Sequence, residues 1–217
     1  MFWCAPVTTT ATTFFYILLL LFGLLFVLLA YRRQRHSSST RSRINPVPTC
    51  VVLGSGGHTG EMLRLVGAIN RKRYAPMLFM VADNDPLSVT KVKDAYGPTV
   101  HITSITRCRQ VKQPIASTFL PGIISLLQSF AEIFRMRPEL ILCNGPGTCI
   151  PICMAAFLMD LLLFRTCHII YVESICRVTT LSLSGRILYY TRIADHLFVQ
   201  WPQLQQKYWR TVYIGRF

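Results

Sequence analysis

Acidic side chains are scarce in this chain. Nine Asp and Glu stand against 23 Lys and Arg in 217 residues, a formal net charge of +14. Such a balance suits a basic surface facing a membrane, or anionic ligands. Nucleic acid is a poor candidate, because neither a recognised nucleic-acid module nor a basic-aromatic array is present. Paired cysteine spacing is also missing. The eight cysteines include no C-x-x-C, and Cys143, Cys149, Cys153, Cys167 and Cys176 fall in apolar segments or at their ends. They read as reduced core thiols, with a metal or nucleophilic role as the lesser alternative. No metal site is expected from the sequence.

Charge is absent altogether from residues 1–13 and from Phe14 to Tyr31. The latter run is dominated by Leu and Phe and as a helix would span about 27 Å, close to a bilayer core. A secretory signal peptide is the competing reading, but the basic leading region and the small-x-small cleavage site are both missing. Arg32, Arg33, Arg35, Arg41 and Arg43 follow directly. The positive-inside rule then places the C-terminal body in the cytosol. The expected organisation is a lumenal N-terminus (1–13), a transmembrane anchor (14–31), a basic juxtamembrane linker (32–48) and a cytosolic domain (49–217).

Within that domain, strand-like and helix-like segments alternate. Strands are expected at Cys50–Leu53, Met77–Ala82, Thr99–Thr103, Leu140–Cys143, His168–Val172, His196–Val199 and Val212–Ile214. Helices are expected at Thr59–Lys72, Thr118–Phe134 with a break at Pro121-Gly122, Thr148–Phe164 and Leu181–Arg192. A polar segment with Lys91, Lys93 and Asp94 lies between the second and third strands. Alternation of this kind implies right-handed βαβ crossovers. The fold class is therefore α/β, a Rossmann-like parallel sheet preceded by one transmembrane helix.

Ligands of such sheets sit at the carboxyl ends of the strands. Three turns fall there. The first, Gly54-Ser55-Gly56-Gly57-His58-Thr59, is glycine-rich and opens a helix, whose N-terminal N–H groups and dipole attract an anion. The second is Asn144-Gly145-Pro146-Gly147-Thr148. The third, Glu173-Ser174-Ile175-Cys176-Arg177, supplies a carboxylate, a hydroxyl and a guanidinium. Each has a plain reading as a tight connection or an ion pair; converging on one sheet edge, they make a shared anionic site the better account. A Walker A loop is excluded, because no Gly-Lys-Ser/Thr closes the first turn. A dinucleotide fingerprint fits Gly54 and Gly56, with Asp83 as its ribose acid, but Thr59 replaces the third glycine. That keeps an NAD(P)-type oxidoreductase as an alternative.

The three turns, with Val199-Gln200-Trp201-Pro202, resemble one family in motif and order over about residues 49–217. It is the membrane-anchoring subunit of the endoplasmic-reticulum UDP-N-acetylglucosamine transferase of asparagine-linked glycosylation. The resemblance implies the N-terminal, acceptor-binding half of a GT-B glycosyltransferase. It also implies a separate soluble partner that binds the donor, UDP-GlcNAc, with no cofactor held by this chain. The acceptor it implies is dolichyl-diphosphate-GlcNAc, at the cytosolic face of the endoplasmic reticulum or the contiguous nuclear membrane. Gly54, Ser55, Gly56, Gly57, Thr59, Asn144, Gly145, Gly147, Thr148, Ser174 and Arg177 are the expected acceptor and diphosphate contacts, with Arg107, Arg109 and Lys112 as further cations. A base must take the acceptor hydroxyl proton. His58 is the first candidate, Glu173 the second and Glu61 the third, with helix-dipole complementation the competing role for Glu61. The chain closes after one Rossmann-like unit, so the partner is expected to dock at Tyr213, Ile214, Gly215, Arg216 and Phe217. A self-sufficient lipid-linked transferase and a non-catalytic scaffold are the rival readings. The apolar stretch Phe119–Phe134 would lie either at the membrane surface or in the core.

Overall fold

The computed structural model describes residues 7–38, 45–107, 119–145, 147–162 and 166–216. Pro146, Phe217, Arg41, Arg43, Arg109, Lys112 and the expected helix ends Thr118 and Phe164 lie outside them. The chain divides into two compact units, Met1–Ser42 and Arg43–Phe217.

Among the described residues the first unit contains one helix, α1 (Val7–Ser38). Its stretch Thr13–Gln34 is 22 residues long and apolar enough to cross a membrane. A core helix of the same composition would be covered, whereas the side chains from Phe14 to Phe26 are exposed.

In the second unit the elements follow in the order β1 (Thr49–Val52), α2 (Gly57–Ala68), β2 (Met77–Ala82), α3 (Pro86–Tyr96), β3 (His101–Ile105), α4 (Phe119–Met136) and β4 (Leu140–Asn144), then α5 (Cys149–Leu162), β5 (His168–Val172), α6 (Leu183–Thr191), β6 (His196–Val199), α7 (Pro202–Lys207) and β7 (Thr211–Tyr213). All seven strands are parallel, in the order β3-β2-β1-β4-β5-β6-β7. Such a sheet must be covered on both faces, and period-two alternation sorts its side chains accordingly. Cys50, Val52, Leu78, Met80, Ile141 and Cys143 join a core with Ile133, Ile152, Ala156, Leu188 and Leu204 of α4 to α7. Val51, Phe79, Val81 and Leu142 pack on the opposite side with Met62, Val66 and Val92 of α2 and α3. The five cysteines Cys50, Cys143, Cys149, Cys153 and Cys167 are buried free thiols, and burial pushes Cys50 and Cys167 well above the usual thiol range.

Several boundaries differ from the sequence reading. Helix α2 starts at Gly57 and stops at Ala68, because the Asn70 carbonyl takes the Arg73 and Tyr74 N–H groups into a turn. Pro121-Gly122 does not break α4, since proline near a helix start gives up only an N–H that had no partner. The polar segment after β2 is a helix, α3. Asp85 caps it by accepting from the Ser88 N–H at 3.2 Å, and Pro86 occupies the first turn.

Candidate active site

Strand order reverses at β1, where the chain runs outward first through β2 and β3 and then through β4 to β7. The crevice at such a switch point is the ligand position in open parallel sheets. Val52 pairs with Cys143 across it, so the turns after β1 and β4 face one another. Glycine is required at both. Gly56 has φ 65° as the N-cap of α2, and among the described residues no side chain caps that helix, so its first N–H groups are open to solvent or ligand there. Gly145 has φ 88°, and a Cβ there would sit 2.6 Å from Cγ and Nδ1 of His58.

His58 is half-buried in the first turn of α2, with its ring against Gly145. Its Nδ1 lies 3.0 Å from Asn144 Oδ1. Asn144 Nδ2 donates to Glu61 Oε2 at 2.9 Å, and Ser174 Oγ donates to Glu61 Oε1, also at 2.9 Å. Ser174 Oγ in turn accepts from the Cys176 N–H at 3.3 Å. Residues of all three turns thus meet in one network, with Glu61 at its centre. Glu61 is 5% exposed, and complementing the helix dipole does not account for that position. Arg107 closes the rim of the first turn by donating to Ser55 Oγ at 2.8 Å. Thr59 is fully buried; its hydroxyl donates to the Gly54 carbonyl and lies 2.6 Å from Ser88 Oγ, tying α2 to α3.

The Glu173 side chain makes no bond to His58, Asn144 or Glu61 among the described residues and meets their network only through the Ser174 N–H. It is fully buried, and its Oε1 accepts from the Ser174 N–H at 3.1 Å. Its Oε2 accepts from the Ser182 N–H at 2.9 Å and from Ser182 Oγ at 3.0 Å. Burial raises its carboxyl above the usual carboxylate range, while the Ser182 and Ser174 donors and the nearby Arg177 charge oppose the rise. Tyr171 packs beside it, with its hydroxyl 2.9 Å from Ser182 Oγ and 3.3 Å from the Gly145 carbonyl. Ser182 thus links Tyr171 and Glu173. Arg177 is exposed, Thr148 is buried and Gly147 is exposed.

The C-terminal residues lie at the far edge of the sheet, away from the switch point. Tyr213 and Ile214 are 43% and 38% exposed, and the Ile214 N–H donates to Val199. The Arg216 guanidinium lies 5.0 Å from the centre of the Trp201 ring, whose Nε1 donates to the Ile175 carbonyl at 2.6 Å.

The crystal structure of MurG from Acinetobacter baumannii shares this fold with a TM-score of 0.56 and 12% identity, covering 72% of this chain. The match takes in 42% of that protein, so the chain spans about two fifths of it. Among curated proteins, the UDP-N-acetylglucosamine transferase subunit ALG14 of Mus musculus is 43% identical over 178 residues, covering 76% of this chain and 81% of the relative. Its Homo sapiens counterpart is 44% identical over 177 residues, with the same coverage. The family described as "Oligosaccharide biosynthesis protein Alg14 like" matches residues 49–217, from the first strand through all three turns to the final residue. The chain belongs to that Alg14-like family of oligosaccharide biosynthesis proteins.

Proposed function

We propose that this chain is the acceptor-binding subunit of a two-protein UDP-N-acetylglucosamine transferase. It would add the second GlcNAc to dolichyl-diphosphate-GlcNAc at the cytosolic face of the endoplasmic reticulum. One observation carries the reading: the half-buried ring of His58 stands at the switch point in the first turn of a helix that no described side chain caps, with the Arg107 guanidinium from the segment after β3 donating to Ser55 of the glycine turn. A diphosphate is the ligand that fits uncapped N–H groups and a guanidinium, and a sugar hydroxyl is what a half-exposed imidazole can deprotonate.

In the proposed reaction the acceptor hydroxyl oxygen bonds to the anomeric carbon of the donor sugar. Its proton passes to His58, and the bond from that carbon to the UDP oxygen breaks with its electron pair leaving on UDP. The N–H groups at the start of α2 and Arg107 hold the acceptor diphosphate. Glu173 is assigned to bracing the wall of the crevice, because both of its oxygens already accept hydrogen bonds from Ser174 and Ser182. The donor is assigned to a soluble partner docking along β7 and the following residues, where Tyr213 and Ile214 are exposed. Thr13–Gln34 is assigned as the membrane anchor, and the arginines following it favour a cytosolic body.

The test is a membrane reconstitution with UDP-GlcNAc and the lipid-linked monosaccharide. A small soluble Rossmann-type protein is expected to co-purify, and the purified chain alone is expected to be inactive. Activity of the chain alone would establish the self-sufficient transferase instead. His58→Ala is expected to keep the partner and to lose about 10²–10⁴-fold in transfer rate, the range a positioned general base supplies. Undiminished transfer would remove His58 from the chemistry and leave a scaffold.

A further inference from the structure

A histidine acting as base must present an unprotonated nitrogen to its substrate, and which nitrogen that is depends on what the other one touches. The side chains behind His58 decide this by donor and acceptor counting. Ser174 Oγ already accepts from the Cys176 N–H, so its own proton is available to Glu61 Oε1. The other carboxylate oxygen faces Asn144 at 2.9 Å. A carboxylate that accepts at both oxygens requires the Asn144 amide to turn its NH2 inward. Asn144 Oδ1 then points outward, 3.0 Å from His58 Nδ1. An amide oxygen only accepts, so Nδ1 must carry the proton. His58 Nε2 keeps its lone pair, with no hydrogen-bond partner among the described residues.

We propose that Glu61 is the positioning residue of the site, fixing through Asn144 the Nδ1–H tautomer of His58 and so exposing Nε2 as the proton acceptor. This rests on the reading of His58 as base, and it explains a buried acid that dipole complementation does not. It also explains why three turns far apart in the chain are joined at one point. Glu61 lies 83 residues from Asn144 and 113 from Ser174, so the tautomer forms only when β1, β4 and β5 are in register. Glu61 itself never touches substrate.

Glu61→Gln is the informative variant because it keeps the shape and inverts the polarity. Ser174 Oγ still has a proton to give, so it holds the carbonyl oxygen of the new amide. The new NH2 then faces Asn144. Asn144 must answer with Oδ1 and turn its own NH2 toward His58, which forces the imidazole proton onto Nε2 and removes the base. The substitution leaves the charge on the rim and the N–H groups of α2 in place, so acceptor binding is spared.

The experiment has two parts. First, the unaltered full chain, with its five histidines labelled with ¹⁵N, is placed in lipid nanodiscs at about pH 8, where an ordinary imidazole is neutral. The His58 resonances, identified by their loss in His58→Gln, are expected to show protonated Nδ1 and bare Nε2. The opposite tautomer overturns the proposal without recourse to any Glu61 variant. Second, Glu61→Gln is compared with the unaltered chain in the reconstituted complex. Transfer is expected to fall about 10–100-fold in kcat, as for loss of a group orienting a functional histidine, with acceptor KM changed less than about threefold. The His58 signature is expected to move to Nε2–H in the same variant. An unchanged kcat, or a fall in kcat with the Nδ1–H signature intact, overturns the positioning role. If His58→Ala transfers normally, the base reading fails, while the tautomer spectra still decide whether Glu61 sets the proton.

Discussion

At Gly145 the backbone sits in the left-handed region, and any Cβ would press into the His58 ring. Gly145→Ala combines two penalties: about 1–2 kcal/mol of backbone strain, and displacement of the imidazole from Asn144. We expect a lower melting temperature and, on the proposed role of His58 as base, a loss of transfer of at least about tenfold, since a small misplacement of a reacting group is costly in rate. Gly67→Ala is the contrast. Gly67 is exposed in α2 with nothing near its Cβ position, and alanine there should add about 0.5–1 kcal/mol with transfer unchanged. If the two substitutions melt and react alike, the close approach at Gly145 does not govern the site. Glu173 makes a pH-dependent prediction. Its carboxyl is raised above the usual 4.5 in the folded state, so the fold holds that proton more tightly than the unfolded chain does. The resulting stability is fully present below the unfolded value and is lost as pH rises through the folded one. Melting curves of Glu173→Gln across this window should therefore fall less steeply with pH than those of the unaltered chain. Parallel curves would mean that the Ser182 and Ser174 donors cancel the cost of burial. At this scale the sequence was partly legible. The three turns were expected at one sheet edge from their residue types and places after the strands, and His58, Asn144 and Ser174 do meet there through Glu61. The burial of Glu61 was not legible, because it depends on Asn144 and Ser174, whose distance along the chain leaves no periodic trace.

Among the elements, the strands were the most readable. β4, Leu-Ile-Leu-Cys-Asn, is apolar throughout because both faces of the sheet are covered, and all five residues are buried. Helix α3 escaped the hydrophobic pattern for the opposite reason. It buries only Ser88 and Val92 and leaves Leu87 exposed, so its apolar stripe is too thin to register. Its start was nonetheless written as Asp85-Pro86, a cap followed by a proline that needs no partner for its missing N–H. The edge strand β3 occupies His101–Ile105, two residues later than the pattern suggested, and only Ile105 in it is buried, so alternation constrains its register weakly. Helix α6 carries the element-scale prediction. Ser182 caps it, accepting from the Gly185 N–H at 3.0 Å while donating to Glu173. Ser182→Ala removes the cap and a charge-assisted bond together, an expected loss of about 1–3 kcal/mol. Chemical unfolding should show it as a lower midpoint at unchanged slope. A change below about 0.5 kcal/mol would mean that solvent replaces both bonds.

For the whole molecule, the two units answer different physical demands. The second has its own two-faced core, although Leu120, Leu127 and Phe134 of α4 stay exposed outside it. Among the described residues the first shows no core, since the side chains of Phe14 to Phe26 are exposed along a 22-residue apolar stretch. In water that exposure would be costly, whereas a hydrocarbon phase removes the cost. The anchor reading therefore predicts a sharp response to charge at the middle of the stretch and little response to apolar exchange. Leu20→Arg with Phe22→Arg places two guanidiniums near its centre, each costing about 2.5–3.5 kcal/mol on the insertion scale. The doubly substituted full chain should move from the carbonate-resistant membrane pellet to the extractable fraction, whereas Leu20→Ile with Phe22→Leu should stay in the pellet. An N-terminal tag separates the anchor from a cleaved leader, because it must remain on the mature chain in the pellet. Loss of the tag during synthesis, or a charged variant that still resists carbonate, would remove this helix as the attachment. On the proposed lipid-linked acceptor, transfer by the charged variant in native membranes should fall with its membrane-bound fraction, while its half-buried His58 and the three turns, built within the second unit, stay assembled.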